Sequence, residues 1–166
     1  MGYSVAIITL SDKGSKGERT DFSGPAIKEM LDETGMYDVV EMKLLSDDKE
    51  ELKDELIRLA DDVKVNLILT TGGTGLSPRD NTPEATSEVM TRDCPGFAEY
   101  MRMKSCEITP NAVLSRGVSV IRNKSLIINL PGSPKAVKEN LGFIMKPLKH
   151  GLDIMLGLDG ECGSVK

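Results

Sequence analysis

Apolar residues follow two rhythms along this chain. Residues 5–10, 67–70 and 126–130 are short aliphatic and β-branched runs closed by Ser, Thr, Gly or Pro, as strands buried on both faces of a sheet are. Residues 37–45 alternate apolar and polar side chains and predict a further strand. Between these runs the spacing becomes that of a helix face, in Ile27, Met30 and Leu31, in Leu52, Leu56, Leu59 and Val63, and in Val137, Leu141, Ile144, Met145 and Leu148. Boundary residues agree with this division. Ser23-Gly24-Pro25 opens a helix that Gly35 ends, and Ser46-Asp47-Asp48 followed by Glu50 opens the next. Thr82-Pro83-Glu84 supplies a cap, a proline at the first helical position and an acidic first turn, and Pro95-Gly96 breaks the chain before a Met-rich helix from Phe97 to Cys106. Segments 118–121 and 126–130 flank Arg122-Asn123-Lys124-Ser125 as the arms of a hairpin, and Pro131-Gly132-Ser133-Pro134 turns the second arm into the last helix.

Strands that alternate with helices predict an α/β fold, a three-layer sandwich with a mostly parallel central sheet flanked by helices. The run 5–10 is expected to be a central strand, and residues 1–166 a single domain. Folds of this kind bind ligands beyond the carboxyl ends of their strands, so the chemistry is sought in the loops that follow the apolar runs.

Composition narrows the function classes. With 39% hydrophobic and 28% charged residues the chain is ordinary for a globular protein, and a net charge of -5 without a basic arm argues against nucleic acid. Aromatic residues are 4% and Trp is absent, which removes base-stacking platforms. No window reaches the roughly 20 apolar residues of a membrane span, and no export signal is visible, so a cytoplasmic location without membrane contact is expected. Cys94, Cys106 and Cys162 have no C-x-x-C spacing, and His150 is the single His; reduced thiols are expected, not a thiolate metal site. The methionines of the Phe97 to Cys106 helix read as core or subunit contact.

The loop after residue 70 changes the picture. Thr71, Gly72, Gly73, Thr74 and Gly75 are too small to fill a core, and bare N–H groups beside two hydroxyls suit a phosphate. No Gly-Lys-Ser/Thr follows, so this is not a P-loop, and Pro78 stands where a dinucleotide fingerprint has its third glycine. A tight turn without a ligand has the same glycine content, but Ser77-Pro78-Arg79-Asp80 adds a cation and a carboxylate on a segment stiffened by Pro78 and Pro83. Phosphoryl transfer needs both, Arg79 for developing negative charge and Asp80 for a divalent ion. Asp47, after the second strand, is the candidate second carboxylate; as a helix cap it would look the same, and Asp12 is a third candidate. Asn129, Pro131, Gly132 and Ser133 lie at the start of the last helix, where anions bind, and Ser115-Arg116 offers another guanidinium.

Taken in order, Ser11-Asp12, Thr70-Thr71-Gly72-Gly73-Thr74-Gly75, Arg79-Asp80, Thr82-Pro83-Glu84-Ala85-Thr86, Pro95-Gly96-Phe97, Leu114-Ser115-Arg116 and Asn129-Leu130-Pro131-Gly132-Ser133-Pro134 resemble the MogA/MoaB family of molybdenum cofactor biosynthesis over nearly the full length. The resemblance implies a molybdopterin-binding fold related to the gephyrin G domain. It implies transfer of AMP from ATP to the terminal phosphate of molybdopterin, with release of pyrophosphate and with magnesium, the product passing to a metal-insertion enzyme that adds molybdenum or tungsten. It implies a homo-oligomer, a trimer, with a hexamer of two trimers as the alternative. Carried over, the essential acids of the family match Asp80 and Asp47, with Asp48 as the alternative to Asp47, and the two glycine-containing loops would bind pterin and phosphate or AMP. A molybdopterin-binding protein without the transfer activity is the competing function.

Overall fold

The computed structural model describes residues 2–158; Cys162 lies outside them. Six strands, β1 (Tyr3–Leu10), β2 (Tyr37–Leu45), β3 (Leu67–Thr71), β4 (Arg92–Asp93), β5 (Ser119–Arg122) and β6 (Ser125–Leu130), form one sheet in the order β2-β1-β3-β6-β5-β4. β2, β1, β3 and β6 are mutually parallel, and β5 and β4 continue antiparallel. The expected mostly parallel sheet is found, and β1 is an interior strand. Helices α1 (Asp12–Ser15), α2 (Ser23–Thr34), α3 (Lys49–Ile57), α4 (Thr82–Glu88), α5 (Gly96–Cys106) and α6 (Pro134–Leu156) connect the strands.

The apolar runs are buried because each sends alternate residues to opposite cores. Val5 and Ile7 of β1, Leu67 and Leu69 of β3, and Leu126, Ile128 and Leu130 of β6 meet Ile27 and Leu31 of α2, Met101 of α5, and Val137, Leu141, Ile144 and Leu148 of α6. Ala6, Ile8 and Leu10, with Ile68 and Ile127, point the other way onto Leu52 and Leu56 of α3 and Ala85 of α4. Complete burial of an Ile or Leu side chain is worth about 1.5–3 kcal/mol, so a polar residue at any of these positions would disturb one layer directly.

Helix ends follow the capping residues. Gly35 closes α2 and Gly157 closes α6 in the left-handed conformation, and the Ser133 hydroxyl accepts from Ala136 N at 3.2 Å to open α6. Two details depart from the sequence reading. The stripe Leu52, Leu56, Leu59 does not continue to Val63, because Arg58–Val63 forms a wider π-turn; Val63 is exposed and Val65 is buried in its place. Asn81, not Thr82, occupies the cap position of α4, and the Thr82 hydroxyl donates instead to Gly72 O at 3.0 Å.

Register delivers the loops to one edge. Leu10 lies beside Leu45, Thr9 beside Thr71, and Thr71 beside Leu130. The four parallel strands therefore end level, and the segments beginning at Ser11, Ser46, Gly72 and Pro131 leave the sheet side by side.

Candidate functional site

The glycine loop turns back sharply as soon as it leaves β3. Gly72 and Gly73 both have positive φ, +96° and +68°, a conformation that an L side chain adopts only with strain. A Cβ on Gly72 would lie 2.5 Å from Leu10 O, and one on Gly73 would fall on the Thr82 hydroxyl and 3.4 Å from Asp47 Oδ1. The two ligand loops expected from the sequence also touch. A Cβ on Gly132 would stand 3.4 Å from Gly72 Cα, Thr71 Oγ1 donates to Pro131 O at 2.7 Å, and Gly72 N donates to Leu130 O at 3.3 Å.

Asp47 and Asp80 approach this loop from two sides. Asp47 Oδ2 accepts from Asp12 N at 2.9 Å, and Asp80 Oδ2 accepts from Ser77 N at 3.0 Å. A Cβ on Gly75 would lie 2.8 Å from Asp80 Oδ2. Each acid is thus anchored through one oxygen, and among the described residues the other oxygen, Oδ1, accepts no hydrogen bond. Asp48 is engaged elsewhere, since its carboxylate caps α3 by accepting from Glu51 N at 2.8 Å. The capping role that the sequence left open for Asp47 therefore belongs to its neighbour.

Charge sharpens the site. Burial, then the charges of Asp12 and Asp80, raise the Asp47 carboxyl above its ordinary 3.8, which puts Asp80 within electrostatic range of Asp47. Asp12 moves the other way, to about 2, because Arg79 and then the Asp47 N–H donate to it. With its folded value below the unfolded one, Asp12 adds stability that is complete above about pH 4 and is lost as the pH falls through about 2; Asp47, raised, favours the folded state most in its protonated form and loses that contribution as pH rises through its folded value. An NMR carboxyl titration is expected to place Asp12 at about 2 and Asp47 above 3.8; superimposable curves for the two acids would contradict this environment.

The remaining predicted residues have divided fates. Arg79 does not stand free at the glycine loop, since its Nε and Nη2 donate to Asp12 at 2.9 and 2.8 Å. Arg116 supports the loop from behind, donating to Gly75 O at 2.8 Å and Asp80 O at 2.6 Å and pairing with Glu84. Asn129, placed at a ligand by its motif, is 2% exposed and uses its amide inside the protein: Nδ2 donates to Thr70 and Thr86 hydroxyls at 2.9 and 3.0 Å, and Oδ1 accepts from Val118 N at 3.1 Å. Asn129→Ala would leave these groups unsatisfied and is expected to destabilise the fold by about 1–3 kcal/mol in urea denaturation; an unchanged midpoint would mean that the network contributes nothing.

Two clefts open at this edge. One, of about 240 Å³, lies between the loops and α2, with Thr71, Gly72, Gly132 and Ser133 on one wall and Ser11, Arg19 and Phe22 on the other. Asp21 shapes that second wall by accepting from Ser23 N, Gly24 N and the Thr9 hydroxyl. The second cleft, of about 270 Å³, runs between α5 and the start of α6 and includes Ser115, Asn129 and Pro131. The sequence reading did not find Arg19, Asp21 or Phe22, which stand in an irregular segment without periodicity.

Among the described residues no group of three or more His, Cys, Asp and Glu side chains is arranged to hold a metal ion. Two carboxylate oxygens beside the glycine loop suit a magnesium ion that takes its other ligands from phosphates and water, not an all-protein cage.

The chain is similar to known proteins both in sequence and in structure. Residues 6–150 match the family described as probable molybdopterin binding domain. The chain is 42% identical over 154 residues to the molybdopterin adenylyltransferase of Helicobacter pylori (strain J99), covering 92% of this chain and 88% of that protein. It is 42% identical over 139 residues to the molybdopterin adenylyltransferase of Escherichia coli (strain K12), covering 82% and 71%. The crystal structure of the molybdopterin biosynthesis enzyme MoaB of Thermus thermophilus superposes with a TM-score of 0.88 at 46% identity, covering 93% of this chain and 97% of that one.

Proposed function

The chain belongs to the molybdopterin-binding domain family, and from that premise we propose that it is a molybdopterin adenylyltransferase, a nucleotidyltransferase of molybdenum cofactor biosynthesis. It transfers AMP from ATP to the terminal phosphate of molybdopterin and releases pyrophosphate. The observation that carries this reading is the placing of two anchored carboxylates, Asp47 and Asp80, against a loop whose glycines leave its backbone uncovered.

Asp47 and Asp80 are the residues that would hold magnesium, through the oxygens their loops leave without a partner. When bound, the ion would neutralise the charge of the triphosphate and of the leaving pyrophosphate. The chain supplies positioning. Within the Thr71 to Gly75 loop, the N–H groups of Gly73, Thr74 and Gly75 would receive a phosphate, while the Thr71 hydroxyl and Gly72 N hold the loop to Pro131 O and Leu130 O and Arg116 keeps it and the Asp80 turn in one arrangement through Gly75 O and Asp80 O. Arg79 adds positive charge beside the acids. Gly132 and Ser133, at the amino end of the 23-residue helix α6, offer a second anion-binding point within the cleft that Thr71 and Gly72 share. Two anionic substrates would then meet between the loops.

The assembly proposed is a trimer, with two trimers forming a hexamer as the alternative, and the product is handed to the metal-insertion enzyme of the pathway. The edge strand β2 supports self-association, since it leaves Val40, Met42 and Leu44 exposed. No helix among the described residues is long and apolar enough to cross a membrane; the proposed site of action is the cytoplasm. Incubation of the pure protein with magnesium, ATP and molybdopterin is expected to give adenylylated molybdopterin and pyrophosphate, read by mass spectrometry. Bound pterin with no such product would leave a binding protein without transfer.

A further inference from the structure

Both carboxylate oxygens of Asp12 are engaged. Oδ1 accepts from Asp47 N at 3.0 Å and from Arg79 Nη2 at 2.8 Å, and Oδ2 accepts from Arg79 Nε at 2.9 Å. The backbone N–H of Asp12 donates in turn to Asp47 Oδ2 at 2.9 Å. Asp12 follows β1, Asp47 follows β2 and Arg79 follows β3, so one side chain ties three neighbouring loops together. Both oxygens of Asp12 already accept hydrogen bonds, one of them two, whereas Asp47 and Asp80 each keep an oxygen that accepts none among the described residues.

From this arrangement we propose that Asp12 is a positioning residue of the transfer site, which fixes the Asp47 carboxylate through a reciprocal pair of backbone bonds and aims the Arg79 guanidinium at the polyphosphate. The inference rests on the adenylyltransferase reading above. Two of the five N–H groups of Arg79 face Asp12, and the side chain is 58% exposed, so three donors remain for a phosphate. The bidentate contact fixes the plane of the fork, which a single contact would leave free to turn. Holding Asp47 matters for a different reason. Its carboxylate is half-buried beside two other acids, and the N–H of Asp12 together with the acceptor on its own N–H keeps it in place.

Two substitutions separate the two duties. In Asp12→Asn one oxygen still accepts from Asp47 N, but an NH2 group replaces the oxygen that Arg79 Nε requires; in Asp12→Ala both contacts go. Asp12→Asn is expected to raise KM for ATP about 10-fold with little change in kcat, the size of one lost charged hydrogen bond, and the Asp12→Asn, Arg79→Ala double variant is expected to be no worse than Arg79→Ala alone. Asp12→Ala is expected to raise, in addition, the magnesium concentration for half-maximal rate. Hydrogen exchange at the Asp47 amide gives a readout independent of turnover: protected in the wild type and Asp12→Asn, and fast in Asp12→Ala. A wild-type KM in Asp12→Asn, additive effects with Arg79→Ala, or equal Asp47 exchange in all three proteins would overturn the proposal. Absence of turnover in the wild type would count against the adenylyltransferase reading instead, and the exchange pattern would still decide the part played by Asp12.

Discussion

Asp80→Asn protein is expected to fold, to bind molybdopterin and to release pyrophosphate from ATP roughly 100- to 1000-fold more slowly, the loss typical of removing one electrostatic contact from a transition state. The substitution is almost isosteric. The Asn side-chain oxygen can still accept from Ser77 N, and the Asp80 carbonyl still receives Arg116, so the turn keeps its shape. What goes is a negative charge on the oxygen left free for a cation. The loss should therefore appear in kcat, with KM for molybdopterin and the urea midpoint close to wild type. Pyrophosphate release measured at saturating magnesium decides the matter, and a variant as fast as the wild type would remove Asp80 from the mechanism.

Gly72→Ala is expected to do the opposite, losing stability and activity together. The new Cβ would lie 2.5 Å from Leu10 O at a φ of +96°, and Leu10 is backbone of a buried strand that cannot retreat. Strain of this kind together with overpacking costs about 2–5 kcal/mol. Relief would have to come from the loop, which is held by the bonds from Gly72 N to Leu130 O and from the Thr82 hydroxyl to Gly72 O. Gly96→Ala is the control, since a Cβ there meets nothing within 4 Å. Urea denaturation of the two variants should show a large loss in the first and a change within about 1 kcal/mol in the second; equal midpoints would mean that the loop has room the geometry denies it.

Much of the fold could be read from apolar rhythm alone. β1, β3 and β6 are legible because strands covered on both faces are continuous apolar runs, and β2 because an edge strand alternates. α2 announces its end with Gly35, which takes the left-handed cap. The two-residue β4 and the four-residue α1 are too short for any period to show. At the site, the glycine loop and Asp47 stand out in the sequence because each comes just after an apolar run, and Asp80 because Arg79 adjoins it on a segment that prolines stiffen. The pairing of Arg79 with Asp12 does not, because 67 residues separate them and only the sheet order makes them neighbours. The inward bonds of Asn129 were hidden for the same reason: its motif resembles a ligand loop, while its side-chain amide donates to Thr70 and Thr86 hydroxyls that only the folded sheet brings beside it.

The π-turn at Arg58–Val63 holds one more residue than an ordinary helical turn of the same axial length. Shortening the chain by a single residue there would let an α-turn form while the segments on either side keep their places. An equivalent deletion within α6 would rotate every following apolar side chain by about 100° away from the sheet. The segment is thus a built-in slack point, where natural or laboratory variation in length can be absorbed without reaching the strand ends.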